Sequence, residues 1–404
     1  MTQEAEDIQK EEEAVSYNIL TPRQQKQRLT ELATVFLRLG TIAFGGPAAH
    51  IAMMDNEVVN HRQWMSREKL LDLLGITNLI PGPNSTELAI HIGYERAGWR
   101  GLLVAGSCFI LPAMLIVWAL AAIYARYQTV PQVEWLLYGI KPVIIAIVIQ
   151  AVWNLGKKAA KDVPTIIAGM VGIAAYLAGL NEILVLILLG IAVMLVKNWQ
   201  ARGHTSGAFL LPISGILAQV SSTTAAVTSV SWISVFVFFL KIGCVLYGSG
   251  YVLLAFLQRD LVERNQWLTS QQLLDAVAIG QFTPGPVFTT ATFIGYLLAG
   301  NTGAIAATIG IFLPAFALVW VVNPWVYKLR QSPWASGFLD GVNAASLGLM
   351  VGVTYTLGRT ALVDWLTIIV AIVSAIAVFK FKINSAWLVL AGGALGFASH
   401  ILLG

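Results

Sequence analysis

The sequence predicts an all-α polytopic membrane protein made of two inverted-topology repeats, and three observations support this class. Only 11% of the 404 residues are charged, and 57% are hydrophobic, whereas soluble chains carry about 25% charged residues. The uncharged runs 163–180 and 205–240 are too long for core helices, which need a polar face. The two halves also share Trp, Pro and Gly residues at a nearly constant offset. A soluble enzyme, a DNA-binding domain and a disordered scaffold are therefore excluded.

Hydropathy divides the chain into about six apolar segments per half. Residues 1–31 are polar and lack the apolar region of a signal peptide, so they predict a cytoplasmic tail. The first repeat covers 32–202, with segments at 32–54, 70–93, 101–124, 136–155, 163–179 and 183–197. Residues 203–231 form a linker or an extra crossing. The second repeat covers 232–404, with segments at 233–257, 272–297, 303–323, 338–357, 364–380 and 385–403.

The duplication rests on residues that seldom match by chance in apolar sequence. A shift of 203 aligns the first part of each half, and a shift of 202 continues the match after one deletion. The aligned pairs include Gly40 with Gly243, Trp64 with Trp267, Pro81-Gly82-Pro83 with Pro284-Gly285-Pro286, Gly98 with Gly300, Pro112 with Pro314, and Asp162 with Asp364. We infer an internal duplication.

Loop charges predict that the halves are inverted. In the first half, ten Lys and Arg residues lie in the tail and in the loops that follow even-numbered segments, and four lie in the loops between. In the second half the bias reverses, because one such residue follows an even-numbered segment and six follow odd-numbered segments. If 203–231 supplies an extra crossing, the total is thirteen, with the N-terminus in the cytoplasm and the C-terminus outside. This count assumes that every segment crosses once. A Pro-Gly-Pro segment that enters and leaves on one side would change it.

Two helix breaks are predicted in each half. Phe44-Gly45-Gly46-Pro47 matches Tyr247-Gly248-Ser249-Gly250, and the Pro81-Gly82-Pro83 turn matches Pro284-Gly285-Pro286. Proline and glycine interrupt helices, and backbone freed at membrane depth must be buried or line a wet cavity. A half-helix N-terminus there carries partial positive charge and suits an anion. Ordinary kinks are the alternative.

Polar residues near these breaks complete the predicted site. Arg38 and Lys241 occupy the same repeat position and are predicted to attract an anion, unless they reach the membrane surface. Glu87, His50 and His91 are candidates for proton coupling, or else satisfied polar contacts. Asp72 and Asp275 are interpreted as stabilising helix starts. The predicted substrate-binding set is Gly45, Gly46, Pro47, Asn78, Pro81, Gly82, Pro83, Ser85, Thr86, Gly248, Ser249, Gln281, Pro284, Gly285, Pro286, Thr289 and Thr290.

At these residues the sequence resembles the chromate ion transporter family in its long, two-domain form. The resemblance is carried by residues 44–47 with His50, the 57–64 loop, residues 81–83 with the following glycines, and residues 281–286. It implies a secondary transporter of the inner membrane that exports chromate, driven by the proton gradient or the membrane potential. The chain departs from it at Asn78 and Glu87, where such proteins often carry glutamine.

Other anion-transport functions remain open from sequence. The alternatives are a transporter of sulfate or another small anion, and a passive anion channel. No catalytic or Walker-type motif is present, so neither an enzyme nor an ATP-driven pump is expected. Cys108 and Cys244 have no metal-type spacing, so neither a metal site nor a cofactor is expected. The expected partners are a small oxyanion and membrane lipid, not nucleic acid, and a homodimer is left open.

Overall fold

The apolar segments fold into helices that follow one another in the same order in both halves. The computed structural model describes Tyr17 and residues 20–77, 80–127, 130–201, 230–247, 250, 252–322 and 332–403. Within these residues there are fourteen α-helices and no β-strand, which confirms the predicted all-α class. Residues 203–229 of the predicted linker 203–231 lie outside the described residues, as do three predicted site residues, Asn78, Gly248 and Ser249.

Among the described residues, each half contributes seven α-helices. The first seven are α1 Pro22–Ile42, α2 Gly46–Asp55, α3 Arg67–Thr77, α4 Asn84–Tyr127, α5 Pro131–Ala159, α6 Val163–Leu177 and α7 Glu182–Ala201. The second seven are α8 Trp232–Val245, α9 Leu253–Leu257, α10 Ser270–Phe282, α11 Thr290–Val322, α12 Pro333–Ala361, α13 Trp365–Phe379 and α14 Ser385–Leu403. In the part of the chain that the structure describes, five stretches are long and apolar enough to cross a membrane: Asn84–Tyr127, Gln132–Ala159, Glu182–Trp199, Val287–Val322 and Pro333–Ala361.

The duplication extends to backbone detail. Asp162 and Asp364, which are equivalent in the two halves, cap α6 and α13 with the same capping box, in which the aspartate accepts the N–H of a threonine three residues later. Gln63 and Gln266 both have a positive φ, at 51° and 52°. A repeat of apolar residues alone would not produce the same helix caps and the same positive φ angles at equivalent positions. These shared features therefore support the alignment of the two halves.

Helix α4 is a hairpin with a short arm, 84–96, and a long arm, 99–127. The backbone leaves the helical region at Ala97 and Gly98, and α11 does the same at Ala299 and Gly300. In α11 the hydroxyl groups of Thr292 and Thr308 lie 2.7 Å apart. Sixteen residues of straight helix would separate them by about 24 Å, so the arms fold back on each other.

The first two apolar segments of the first half begin and end at one end of the helix bundle. Arg96, at the α4 reversal, binds Glu31 of α1 at 2.8 Å and lies over the ring of Trp64. Lys69, at the start of α3, binds Glu95 at 3.1 Å. These segments therefore enter and return on one side, and the assumption that every apolar segment crosses once is not met.

The two halves interlock through their last three helices. Helix α5 packs on α13 and α14, and its counterpart α12 packs on α6 and α7. Helices α4 and α11 pack on each other, and each also packs on the first helix of its own half. We call α5–α7 and α12–α14 the scaffold helices, and α1–α4 and α8–α11 the first and second hairpin groups.

Candidate functional site

The helix breaks of the two halves meet and hold each other through backbone hydrogen bonds. The Gly82 N–H donates to the Leu246 carbonyl at 2.8 Å, and the Gly285 N–H donates to the Ala43 carbonyl at 2.9 Å. Ala43 and Leu246 are equivalent positions that immediately precede the first break of each half. Each Pro-Gly-Pro turn is thus fixed by the residue that precedes the first break of the other half.

Glycine is required at both Pro-Gly-Pro turns. The φ angles are +144° at Gly82 and +89° at Gly285, a region that residues with a Cβ seldom adopt. A Cβ at Gly285 would stand 2.6 Å from the Cβ of Ala113. A Cβ at Gly82 would collide with the carboxyl group of Glu87. The turns therefore bring backbone to places where no side chain fits.

His50 connects three of the convergent segments. Its Nε2 lies 3.1 Å from the Ala43 carbonyl oxygen, and its Nδ1 lies 3.2 Å from Ser85 Oγ. Because a carbonyl oxygen only accepts, Nε2 carries the proton and the Ser85 hydroxyl donates to Nδ1. The same carbonyl accepts from Gly285. The ring is 1% exposed, so this network is internal to the convergence.

The predicted threonines differ in what they can offer a ligand. Thr289 and Thr290 donate their hydroxyl protons to the carbonyls of Pro286 and Val287, both at 2.8 Å. The buried hydroxyl of Thr86, on the short arm of α4, has no hydrogen-bond partner among the described residues. Gln281, at the end of α10, is also buried. Thr86 is the hydroxyl that remains able to donate.

Glu87 places a carboxyl group inside the convergence. It lies in the first turn of α4, is fully buried, and has an oxygen packed against Gly82. Neither carboxyl oxygen has a hydrogen-bond partner among the described residues. His91, one helical turn further along, is also fully buried. A buried carboxyl group without a cation favours the neutral form, so this position is suited to holding a proton.

The predicted basic pair lies in matched ion-pair clusters. Arg38 lies 3.8 Å from Glu57, which also binds Arg62 at 2.9 Å. Lys241 lies 3.4 Å from Asp260, which also binds Arg264 at 2.8 Å. Each carboxylate is therefore shared by two cations, so each cluster keeps one net positive charge. The side chains of Arg38 and Lys241 are 65% and 45% exposed.

Sequence reasoning missed a buried ion pair. Lys141 of α5 lies 3.5 Å from Asp275 of α10, and the Tyr124 hydroxyl donates to the same carboxylate at 2.8 Å. All three side chains are buried. Asp275 is therefore the partner of a membrane-buried lysine, which replaces its interpretation as a helix-start residue. The signal that could have revealed this pair is a lone lysine within the apolar segment 136–155.

Interlocked repeats with broken helices that meet at the centre define a multi-pass membrane protein of the kind that moves small solutes. The chain belongs to the chromate transporter family. The family model described as "Chromate transporter" matches residues 30–195 and again residues 233–397, one match in each half. The chain is therefore a multi-pass membrane transport protein.

Similar proteins cover nearly the whole chain. A "Chromate transport protein" of Cupriavidus metallidurans is 32% identical over 93% of this chain and 94% of its own length. A "Probable chromate transport protein" of Synechococcus elongatus is 32% identical over 87% of this chain and 90% of its own. A "Chromate transport protein" of Pseudomonas aeruginosa is 30% identical, covering 91% of each chain. No solved structure matches significantly.

Proposed function

We propose that the protein is a secondary active transporter that exports chromate across the cytoplasmic membrane by alternating access. The observation that carries this proposal is the reciprocal pair of hydrogen bonds from Gly82 and Gly285 to the opposite half. These bonds fix two half-helix starts at one place. Removing water from a dianion is expensive, and backbone N–H groups at helix starts replace that water without full charges that would trap the ion.

The proposed binding groups begin with the Ser85 N–H, in the first turn of α4, which comes before the first intrahelical hydrogen bond. The Thr86 hydroxyl is the nearest donor without a partner among the described residues. The remaining predicted binding residues, including Gln281, belong to the proposed shell, but Thr289 and Thr290 join it only by exchanging their hydrogen bonds to the Pro286 and Val287 carbonyls for bonds to the anion. Hydrogen bonds to a charged ligand contribute about 1.5–3 kcal/mol each.

Helix α1 offers an access path from one end of the bundle. Exposed polar side chains follow one face of the helix at helical spacing: Arg23, Gln27, Thr30, Thr34, Arg38 and Thr41. The path begins at a basic cavity of about 420 Å³, which Arg23, Lys26 and Arg62 help to line. It ends beside the exposed Phe44 and Gly45 of the first break. This placement supports the role proposed for Arg38, which is to draw anions toward the site.

Coupling to protons is assigned to Glu87, with His50 and His91 nearby. Glu87 is packed against the Gly82 turn, so a negative charge there would oppose a dianion at the same helix start. Binding the proton removes that opposition. Glu87 thereby links proton occupancy to anion occupancy, which a passive channel does not require. Because proton and anion then bind together, a proton gradient moves the anion in the same direction as the protons. The driving force that favours export is the interior-negative membrane potential, which repels the anion.

The test is anion flux in proteoliposomes under separately imposed proton and potential gradients. We expect chromate to move uphill with a proton gradient and to stop when a protonophore is added. Gly45→Leu, Gly82→Leu and Gly285→Leu, checked for membrane insertion, are the matched inactive controls. Preference for sulfate over chromate would reassign the anion, and downhill flux that ignores the protonophore would indicate a channel. Wild-type flux in the three glycine variants would refute the proposed site.

A further inference from the structure

The two hairpin groups are packed unequally against the scaffold helices, although their sequences are equivalent. In the second group, α10 packs on α5, α12 and α14, and α9 packs on α12. In the first group, α3 packs extensively only on α4, and α2 only on α1 and α4, within the described part of the chain. One group is closed against the scaffold and the other stands away from it.

Equivalent residues show this difference directly. Ala255 of α9 is fully buried, whereas its counterpart Ala52 of α2 is exposed. Leu274 of α10 is 0% exposed, whereas its counterpart Leu71 of α3 is 57% exposed. The two groups lie at opposite ends of the bundle in an inverted arrangement. The second hairpin group is therefore buried against the scaffold helices, and the equivalent surface of the first group is exposed.

Buried charges fasten the second hairpin group to the scaffold helices. Lys141 of the scaffold helix α5 pairs with Asp275 of α10, and Tyr124 donates to the same carboxylate. The counterpart of Lys141 is the neutral Asn343, and the counterpart of Asp275 is the exposed Asp72. Nothing in the repeat requires this pair, and burying it is costly. The attraction between Lys141 and Asp275 offsets the cost of burying them only when the second hairpin group packs against the scaffold helices.

A second buried ion pair also joins the second hairpin group to the scaffold helices. Arg259, which follows α9, binds Glu182 at the start of α7 at 2.8 Å and donates to the Tyr176 carbonyl at 2.6 Å. Glu182 is 2% exposed. The counterparts of Arg259 and Glu182 are Asn56 and Asn384, which carry no charge. Both ion pairs therefore hold the second hairpin group, and neither has a charged counterpart in the first group.

We propose that Lys141, Asp275 and Tyr124 form a latch that holds one entrance to the convergent breaks closed, and that this latch opens during the transport cycle. The inference rests on the proposed transport function, because a latch has a role only if the two ends open in turn. Lys141 and Asp275 are positioning residues here, since they act on the hairpin group and touch no proposed ligand. Opening exposes both charges to water, which removes the penalty of separating them in a buried site.

The test measures closure without using transport. Cys108 and Cys244 are first replaced by alanine, and Ala255→Cys or Ala52→Cys is added as a matched pair of reporters. Labelling by a water-soluble maleimide is followed in purified protein. With the latch intact, we expect slow labelling at Ala255→Cys and fast labelling at Ala52→Cys. Removing only one charge, with Lys141→Met, leaves the Asp275 carboxyl group buried without its cation and should raise the Ala255→Cys rate by about tenfold or more.

Two further variants separate a latch from a merely structural pair. Exchanging the charges, with Lys141→Asp and Asp275→Lys, keeps an ion pair and should return the Ala255→Cys rate toward its original value. Neutralising the exposed pair Arg67 and Asp55, with Arg67→Gln and Asp55→Asn, should leave both rates unchanged. Slow labelling at Ala255→Cys in the folded Lys141→Met protein would overturn the proposal. If labelling responds as expected but no anion is transported, the transport proposal fails and the conformational latch stands.

Discussion

Replacing Gly285 with alanine tests the convergence of the breaks with the smallest available change. Gly285 has φ +89°, and its N–H binds the Ala43 carbonyl of the other half. The added methyl group would stand 2.6 Å from the Cβ of Ala113 and 3.3 Å from the Gly40 carbonyl oxygen. Three separate costs therefore arise at one position: backbone strain, overlap with Ala113, and displacement of the turn from Ala43.

The size of the effect can be worked from these contacts. A residue with a Cβ in left-handed backbone costs about 1–2 kcal/mol. Overfilling a packed site costs about 1–3 kcal/mol. The sum of about 2–5 kcal/mol is a large part of the stability of a typical domain, which is about 5–15 kcal/mol. The turn relieves part of this strain by moving away from Ala43, so we expect transport to fall more than stability does.

The assay compares chromate flux in proteoliposomes with thermal unfolding of the same preparation. We expect Gly285→Ala to reduce flux by about tenfold or more. Adding Ala113→Gly should recover part of the loss, because it removes the overlap and leaves the strain. Gly300→Ala is the control, since Gly300 has φ +62° and nothing within 4 Å of an added Cβ; its backbone strain should cost about 1–3 kcal/mol and leave flux unchanged. Equal flux losses in Gly285→Ala and Gly300→Ala would refute the reasoning.

The remaining predictions concern coupling, attraction and topology. Glu87→Gln should keep anion flux but remove its dependence on an imposed pH gradient; an unchanged pH dependence would exclude this carboxyl group as the proton carrier. Arg38→Ala and Lys241→Ala should raise the half-saturation concentration for chromate by about two- to tenfold, less so at high salt, because exposed charges are screened. No change in correctly inserted protein would leave them as membrane-surface anchors. Reporters fused after Arg100 and after Gly300 should lie on opposite sides of the membrane, and a shared side would contradict the inverted arrangement.

The sequence was most informative where local chemistry decides the backbone. Proline and glycine at 81–83 and 284–286 predict interrupted helices because they remove donors and permit unusual dihedrals. Helices α3 and α10 end before these turns, and α4 and the turn into α11 begin after them. Trp, Pro and Gly matches likewise predicted a duplication, and each helix of the first half has a counterpart in the second.

Hydropathy could not show which apolar segments return to the side they entered. A helical hairpin and a single crossing have the same composition, and the difference arises at Ala97 and Gly98, where two dihedral pairs reverse the chain. The pairing of Gly285 with Ala43 is also invisible in sequence, since 242 residues separate two ordinary backbone groups. Lys141 and Asp275 were visible as residues, but only the packing of α10 on α5 shows that they are partners.

The asymmetry between the halves has a consequence for the transport cycle. If the two hairpin groups exchange roles, α3 docks on α12 and Asp72 approaches Asn343, which offers a neutral amide where the first arrangement offers the Lys141 ammonium. The two closed states then cannot have equal energy, because only one of them contains a buried ion pair. A ligand changes such an equilibrium only by its differential affinity for the two states. The difference in free energy between the two closed states is thus set by a few side chains that differ between the duplicated halves. Binding of the anion and the proton must overcome this difference in each transport cycle.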